Sequence, residues 1–283
     1  MTALVLAGQN PIPGAQRTGL VESSRSIREE CIDPITLQLT NVGKVFDQLE
    51  AIRSISLNVA KGEFVSLLGP SGCGKSTLLM MMGGLIAPTS GDIVIDGSKV
   101  SGPRADIGVV FQTPILLPWR SVLDNVLLPI EFLNLPRKDF IDRAHTLLKT
   151  VKLEDFAGAL PRQLSGGMRQ RVSICRALIN DPSTLLMDEP FSALDAFTRD
   201  EMSVDLLRIW QTYRKTIIFV THSIREAVFL SDRIFVLGKR PATVIDEVDV
   251  ALPRPRCLEM MEENDFNQYV RHLRRSIEAG HAI

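Results

Sequence analysis

Gly69-Pro70-Ser71-Gly72-Cys73-Gly74-Lys75-Ser76-Thr77 stands between two apolar runs, Phe64 to Leu68 and Leu78 to Met82. The first fits a short buried strand and the second a helix, which is the setting a phosphate-binding loop requires. In the spacing G-x-x-x-x-G-K-S the glycines let backbone N–H groups turn inward around phosphate oxygens. The helix start adds a partial positive charge. Lys75 then neutralises the outer phosphates, and Ser76 offers its hydroxyl to a Mg²⁺ that arrives with the nucleotide. Pro70, Ser71, Gly72, Cys73, Gly74 and Thr77 complete the cradle that Gly69 opens, so a nucleoside triphosphate is the expected ligand.

A second segment, Thr184-Leu185-Leu186-Met187-Asp188-Glu189-Pro190, reads as a buried strand ending in two adjacent carboxylates. Successive strand residues point to opposite sides, so the two acids are expected to do different work. Asp188 is assigned to the Mg²⁺ shell through water. Glu189 is assigned to orienting or deprotonating the attacking water. Taken alone, the pair also fits two solvated acids closing a strand.

In Leu164-Ser165-Gly166-Gly167-Met168-Arg169-Gln170-Arg171, a serine and two glycines open a basic helix. Ser165, Gly166 and Gly167 would present bare amides suited to a γ-phosphate, although in isolation they also fit an ordinary capped helix start. The motif as a whole resembles the signature of the ATP-binding cassette (ABC) ATPases, and the resemblance runs from Ile35 to Val250.

That resemblance implies an α/β fold, a P-loop NTPase core with an antiparallel β subdomain and an inserted helical subdomain, and it implies ATP and Mg²⁺ as cofactors. It also supplies roles for residues whose types alone do not specify them. Phe46 matches the aromatic that stacks on adenine, although an aromatic there equally suits a core. Gln112 matches a glutamine that serves both coupling and the metal. Asp195, in Ser192-Ala193-Leu194-Asp195, matches a loop crossing between two nucleotide sites, and His222 matches a switch histidine on the γ-phosphate. Two departures stand out: Met168 replaces the commoner glutamine, and Phe46 the commoner tyrosine. Stacking survives the second change and a hydroxyl contact does not.

The periodicity agrees with this architecture. Residues 35 to 39 and 54 to 59 alternate apolar and polar like half-buried antiparallel strands. Apolar runs at 64 to 68, 107 to 111, 184 to 187, 216 to 220 and 233 to 237 are separated by helical stretches, as in a parallel sheet covered on both faces. Residues 119 to 181, including an amphipathic stretch from Phe140 to Val151, form the expected helical subdomain. Residues 1–34 read as a flexible N-terminal arm and 35–250 as the ATPase domain. Within 251–283, Leu252-Pro253-Arg254-Pro255-Arg256 reads as a stiff linker, followed by a docking helix with Phe266, Tyr269, Val270, Leu273 and Ile277 on one face.

Composition narrows the partners. With 283 residues and a single phosphate loop the chain suits one cassette, and a formal net charge of −1 argues against a general nucleic-acid surface. No apolar run reaches the roughly 18 residues of a membrane span, and Met1 to Gly8 lacks a secretory signal's basic region. Cys31, Cys73, Cys175 and Cys257 show no C-x-x-C pairing, which speaks against zinc or a disulfide framework. Cys73, near a lysine and a helix start, is expected to have a lowered pKa and to be alkylated at the cost of activity.

Within the resembled family the signature completing each site belongs to the opposite subunit, so a second copy or a homologous ATPase subunit is the implied partner. The phrases Leu117 to Val126, Met187 to Ala196 and Thr221 to Asp232 are most similar to the nitrate, sulfonate and taurine import branch. This implies transmembrane permease subunits, an extracytoplasmic solute-binding protein and a bacterial protein held at the cytoplasmic face of the inner membrane, with Thr113 to Trp119 as the permease seat or, alternatively, an interior loop. A soluble cassette acting on ribosomes, DNA or iron–sulfur assembly, and an exporter ATPase, are the alternatives.

Overall fold

In the computed structural model, which describes residues 34–281, the chain begins with a long hairpin, β1 (Ile35–Phe46) and β2 (Leu49–Ala60). β3 (Phe64–Leu68) leads through the glycine-rich loop into α1 (Lys75–Met82), and β4 (Ser90–Ile95), β5 (Ser98–Lys99) and β6 (Ile107–Val110) follow. Helices α2 (Val122–Val126), α3 (Leu128–Phe132), α4 (Ile141–Thr150) and α5 (Gly166–Leu178) come next, with no strand among them, as the sequence predicts for the helical region. The chain then alternates through β7 (Thr184–Asp188), α6 (Ala196–Tyr213), β8 (Thr216–Thr221), α7 (Ile224–Leu230) and β9 (Arg233–Leu237), and ends with β10 (Val244–Asp249) and α8 (Asn264–His281). The predicted N-terminal arm, save for Pro34, lies outside the described residues.

Two sheets result. The antiparallel sheet has the order β2-β1-β4-β5, and the larger one the order β10-β9-β3-β8-β7-β6. All pairs from β9 to β6 are parallel, and β10 adds an antiparallel edge. The uninterrupted apolar runs of the central strands follow from burial on both faces. Phe64 and Leu68 of β3, Leu185 and Met187 of β7, and Ile217 and Phe219 of β8 belong to the core beneath α5, α6 and α7. Their neighbours Val65, Leu67, Leu186, Ile218 and Val220 belong to a second core shared with α1 and the antiparallel sheet.

Three features differ from the sequence expectation. The hairpin strands run well past the predicted 35 to 39 and 54 to 59, because register shifts around Asn41 and Gly43 break the alternation without ending the pairing. A side chain at Gly43 would meet the Arg53 carbonyl at 2.8 Å, so the partner strand passes close there. β10 had no strand signal, since Asp246, Glu247 and Asp249 fill its exposed and half-buried edge positions.

The third difference is at the C-terminus, where the predicted linker is an anchored strap. Arg256 is 5% exposed, and its guanidinium donates to the carbonyls of Val228, Phe229 and Ser231 at 3.0, 3.0 and 2.8 Å. α8 then lies on α7, β9 and β10 with Phe266 and Leu273 fully buried. The apolar face predicted to dock is therefore docked on the chain's own core.

Candidate functional site

The strand order by itself assembles the site. β8 lies between β3 and β7, with β6 beyond, so the carboxyl ends of these parallel strands deliver Gly69, His222, Asp188 and Gln112 to one edge of the sheet. Ligands of open α/β sheets bind at that edge. A pocket of about 350 Å³ opens there, lined by Ser71, Gly72, Gly74, Lys75, Ser76, Thr77, Gln112, Glu189 and Arg240.

The loop can make its turn because Gly72 and Gly74 take φ of +75° and +122°, a region that strains other residues. Gly69 is constrained by crowding instead: a Cβ there would sit 2.7 Å from the Leu237 carbonyl of β9. Lys75 is nearly buried and donates to the carbonyls of Gly69 and Pro70, both at 2.9 Å, while its ammonium lies 3.5 Å from Glu189. Arg240 closes the other side by donating to the Gly72 carbonyl at 2.8 Å. Sequence reasoning missed it, because a basic residue beyond the last parallel strand carries no motif.

The two carboxylates part company as expected, though by a turn of the backbone rather than by strand alternation alone. β7 ends at Asp188, and Glu189 adopts φ +43° with its N–H donating to the Val220 carbonyl at 3.0 Å. Such a conformation costs a non-glycine residue about 1–2 kcal/mol, held here by the neighbouring strand. Asp188 accepts from the Ser76 hydroxyl at 2.8 Å. Burial pushes its carboxyl above the usual range, reinforced by Glu189 and opposed by the Ser76 bond and Lys75. Glu189 instead reaches His222, whose Nδ1 lies 2.9 Å from Oε2.

Around this pair runs a set of supports. Gln112 donates to the Ser192 hydroxyl at 3.0 Å, and that hydroxyl donates to the Glu189 carbonyl at 3.0 Å. Thr221 donates to Glu226 at 2.6 Å, and Arg199 lies 3.5 Å from the same carboxylate while also donating to the Leu194 carbonyl. Arg199 and Glu226 thus tie the Asp195 loop to the His222 turn. Neither was singled out from the sequence; Ser223 followed three residues later by Glu226, a helix-opening pattern, was the available signal.

Ser165 caps α5 by accepting from the Met168 N–H at 3.2 Å, and Asp195 caps α6 by accepting from Thr198. The Thr198 bonds hold the Asp195 carboxyl below its ordinary range. The two caps adjoin, since a Cβ on Gly167 would meet the Thr198 methyl at 2.8 Å. Ser165, Gly166 and Gly167 are not among the residues lining the phosphate-loop pocket, and Ser165 and Gly166 face outward. Phe46 also lies apart from that lining, exposed, with the Lys44 ammonium 4.8 Å from its ring centroid.

Cys73 requires a correction. Only 2% of its surface is exposed, and burial pushes the thiol up more than Lys75 and its backbone bonds pull it down. The helix start and lysine that suggested a reactive thiolate are present, but desolvation outweighs them.

The donors available for a divalent cation are a hydroxyl, a carboxylate and the Gln112 amide. Among the described residues no group of three or more His, Cys, Asp or Glu side chains could hold a metal unaided. Sparse, hard oxygen donors beside a phosphate loop fit an ion that brings phosphate oxygens and waters with it.

A second surface lies outside the pocket. Thr113 to Trp119 is not the interior loop that was its alternative: Ile115 is 59% exposed and Trp119 73%. It borders a groove of about 540 Å³ lined by Phe111, Ile115, Leu117, Phe132 and Arg176 among others, with Phe132 itself 78% exposed. Buried Asn125 fixes the loop, accepting from the Leu117 N–H at 2.7 Å and donating to the carbonyls of Leu117, Arg120 and Ser121.

Comparison with known proteins agrees with this geometry. Residues 52–192 match the family model described as ABC transporter. The chain is 48% identical over 206 residues to a taurine import ATP-binding protein of Rhizobium johnstonii, covering 73% of this chain and 79% of that one. It is 42% identical over 243 residues to a nitrate import ATP-binding protein of Synechocystis, covering 82% and 91%. The chain belongs to the ABC transporter family. A solved ATP-binding cassette, a dimer in a post-hydrolysis state bound to ADP and phosphate, is similar to this ABC subunit with a TM-score of 0.66 and 37% identity, over 77% of this chain and all of that one. The subunit is an ATP-binding one, and no helix among its described residues is long and apolar enough to cross a membrane.

Proposed function

We propose that this chain is the ATP-hydrolysing subunit of a membrane importer for nitrate, sulfonate, taurine or a similar small solute. The observation that carries this is the gathering of Lys75, Ser76, Asp188, Glu189 and His222 at one sheet edge while the signature turn stays outside their pocket. One chain thus presents half of a site and, elsewhere, the other half's complement.

In the proposed mechanism ATP displaces the carbonyls of Gly69 and Pro70 from Lys75, whose ammonium passes to the outer phosphates. Ser76, Asp188 through water, and Gln112 would hold Mg²⁺, which when bound neutralises phosphate charge. Glu189 accepts a proton from the attacking water as its oxygen bonds the γ-phosphorus and the bond to the bridging oxygen breaks, leaving ADP and phosphate. His222, held by Glu189, would contact the γ-phosphate. Ser165, Gly166 and Gly167 of a second copy seal that phosphate, with Asp195 at the seam. Closure depends on the γ-phosphate, so its loss reopens the pair. Phe46 is assigned to adenine.

The groove beside Thr113 to Trp119 suits a permease segment, because exposed Trp119, Ile115 and Phe132 form an apolar rim around it. Its neighbour Gln112 reaches Ser192 and through it Glu189, which joins the groove to the hydrolysis pocket. The subunit would sit peripherally on the cytoplasmic face of the membrane and meet the solute-binding protein only through the permease. The test is Trp119→Asp. The cassette should leave the membrane fraction while keeping its basal ATPase rate, and loss of both together would refute the assignment of this surface.

A further inference from the structure

A second charged concavity lies on the far side of His222. It has a volume of about 480 Å³ and is lined by His222, Ser223, Ile224 and Arg225 at the start of α7, and by Asn267, Val270, Arg271 and Arg274 on α8. Three arginines therefore line one cleft. The nearest carboxylate to any of them is Glu262, 3.7 Å from Arg225 and itself highly exposed. Arg225 also donates to the Met261 carbonyl at 3.4 Å and leans over the Phe266 ring at 5.5 Å, so the less satisfied pair is Arg271 and Arg274. Arg271 has a single long contact, 3.4 Å to the Asn264 side chain, and Arg274 has no polar partner among the described residues. Placing Arg271 and Arg274 beside Arg225 around a hollow costs repulsion that a bound anion would relieve, and guanidinium groups bind oxyanions through paired N–H donors.

The cleft shares a wall with the hydrolysis pocket. His222 lines the one, Glu189 lines the other, and the two side chains meet at 2.9 Å. We propose that this cleft between α7 and α8 binds a small oxyanion, of the sulfate, sulfonate or phosphate type, and that the bound anion slows hydrolysis by drawing the His222 imidazole away from the γ-phosphate. The inhibitory half rests on the role given to His222 above, whereas the binding half does not. An anion acting here leaves the phosphate loop free, so it lowers kcat without raising KM for ATP.

The experiment has two parts, both on the whole chain with sulfate as probe and chloride balancing ionic strength. Calorimetry on Lys75→Ala, in which the phosphate loop is impaired, should record one sulfate per chain. Adding Arg271→Ala and Arg274→Ala should weaken that binding by about 10- to 100-fold, from the loss of charged hydrogen bonds. In the chain with Lys75 intact, sulfate should reduce kcat at saturating ATP with KM unchanged. The Arg271→Ala/Arg274→Ala variant should keep basal turnover and lose the response, and Arg271→Lys/Arg274→Lys should partly restore it.

Phosphate and methanesulfonate, run in parallel, separate a product anion from a solute-like one, and tighter binding of either supports the site. Equal sulfate sensitivity with and without the two arginines would overturn it, as would inhibition seen only as a raised KM. So would weakened pairing of the arginine variant with no sulfate response at all, which would make the cleft a seat for a second copy. The Glu189→Gln variant tests the hydrolytic reading separately.

Discussion

The phosphate loop and the signature turn are both glycine-bearing helix starts, yet the structure treats them differently. Around the first, Gly69 is pressed against Leu237, Lys75 is buried and bonded, Ser76 holds Asp188, and Arg240 braces Gly72. Around the second, Ser165 satisfies one amide of α5 and Gly167 lies on Thr198, while Ser165 and Gly166 remain exposed. One loop is finished by its own chain and the other is offered outward. Under the proposed function a site made of both parts would be completed between chains, and catalysis would be conditional on assembly.

That contrast can be broken from either side. The largest effect is expected from Glu189→Gln, which keeps the loop and the proposed ATP contacts but removes the proposed base. Phosphate release should fall by at least about 100-fold while nucleotide is still bound, and light scattering should find ATP-loaded pairs that persist. Turnover near the parental rate would remove Glu189 from the chemistry. Lys75→Ala attacks the finished loop itself. ATP affinity in a fluorescence titration should drop about 10- to 100-fold, since a charge-assisted contact of roughly 1.5–3 kcal/mol disappears.

Ser165→Arg addresses the outward loop. Nucleotide affinity of the single chain should stay within about twofold, within the roughly 0.5 kcal/mol expected of a surface change away from the bound ligand, yet sedimentation should find no ATP-dependent pairing in a Glu189→Gln background. A large loss of affinity in the single chain would mean the signature lies closer to the phosphates than the fold places it. The smallest effect concerns Cys73. Its buried, raised thiol should react with iodoacetamide later than exposed Cys257, with or without ATP, as read by peptide mass spectrometry. Faster labelling of Cys73 would show that the loop opens more readily than its packing implies.

The finished loop was also the more legible one. Gly69 to Thr77 announces itself because backbone geometry and phosphate chemistry restrict residue types at fixed spacing, and the central strands do so because burial on both faces demands unbroken apolar runs. What escaped the sequence depends on contacts between distant segments. Arg240 matters because β9 ends beside β3, a neighbour relation absent from local pattern. Glu226 and Arg199 matter because α6 and α7 begin near one another. Cys73 was misjudged for the same reason: nearby charges can be read from sequence, whereas loss of solvent depends on what packs above. Burial of the Phe266 face likewise settled a helix whose amphipathic pattern left its partner unspecified.

Arg256 extends the folding unit beyond the family segment at 52–192. Its guanidinium plugs the carbonyl end of α7, whose opposite end adjoins His222, and it also meets the carbonyls of Val250 and Leu252. A fragment trimmed at residue 250 for expression would retain every nucleotide motif and still lose that stopper, together with the lid over α7 formed by Phe266 and Leu273. Boundaries drawn around the motifs alone would therefore yield a cassette whose α7 is unseated.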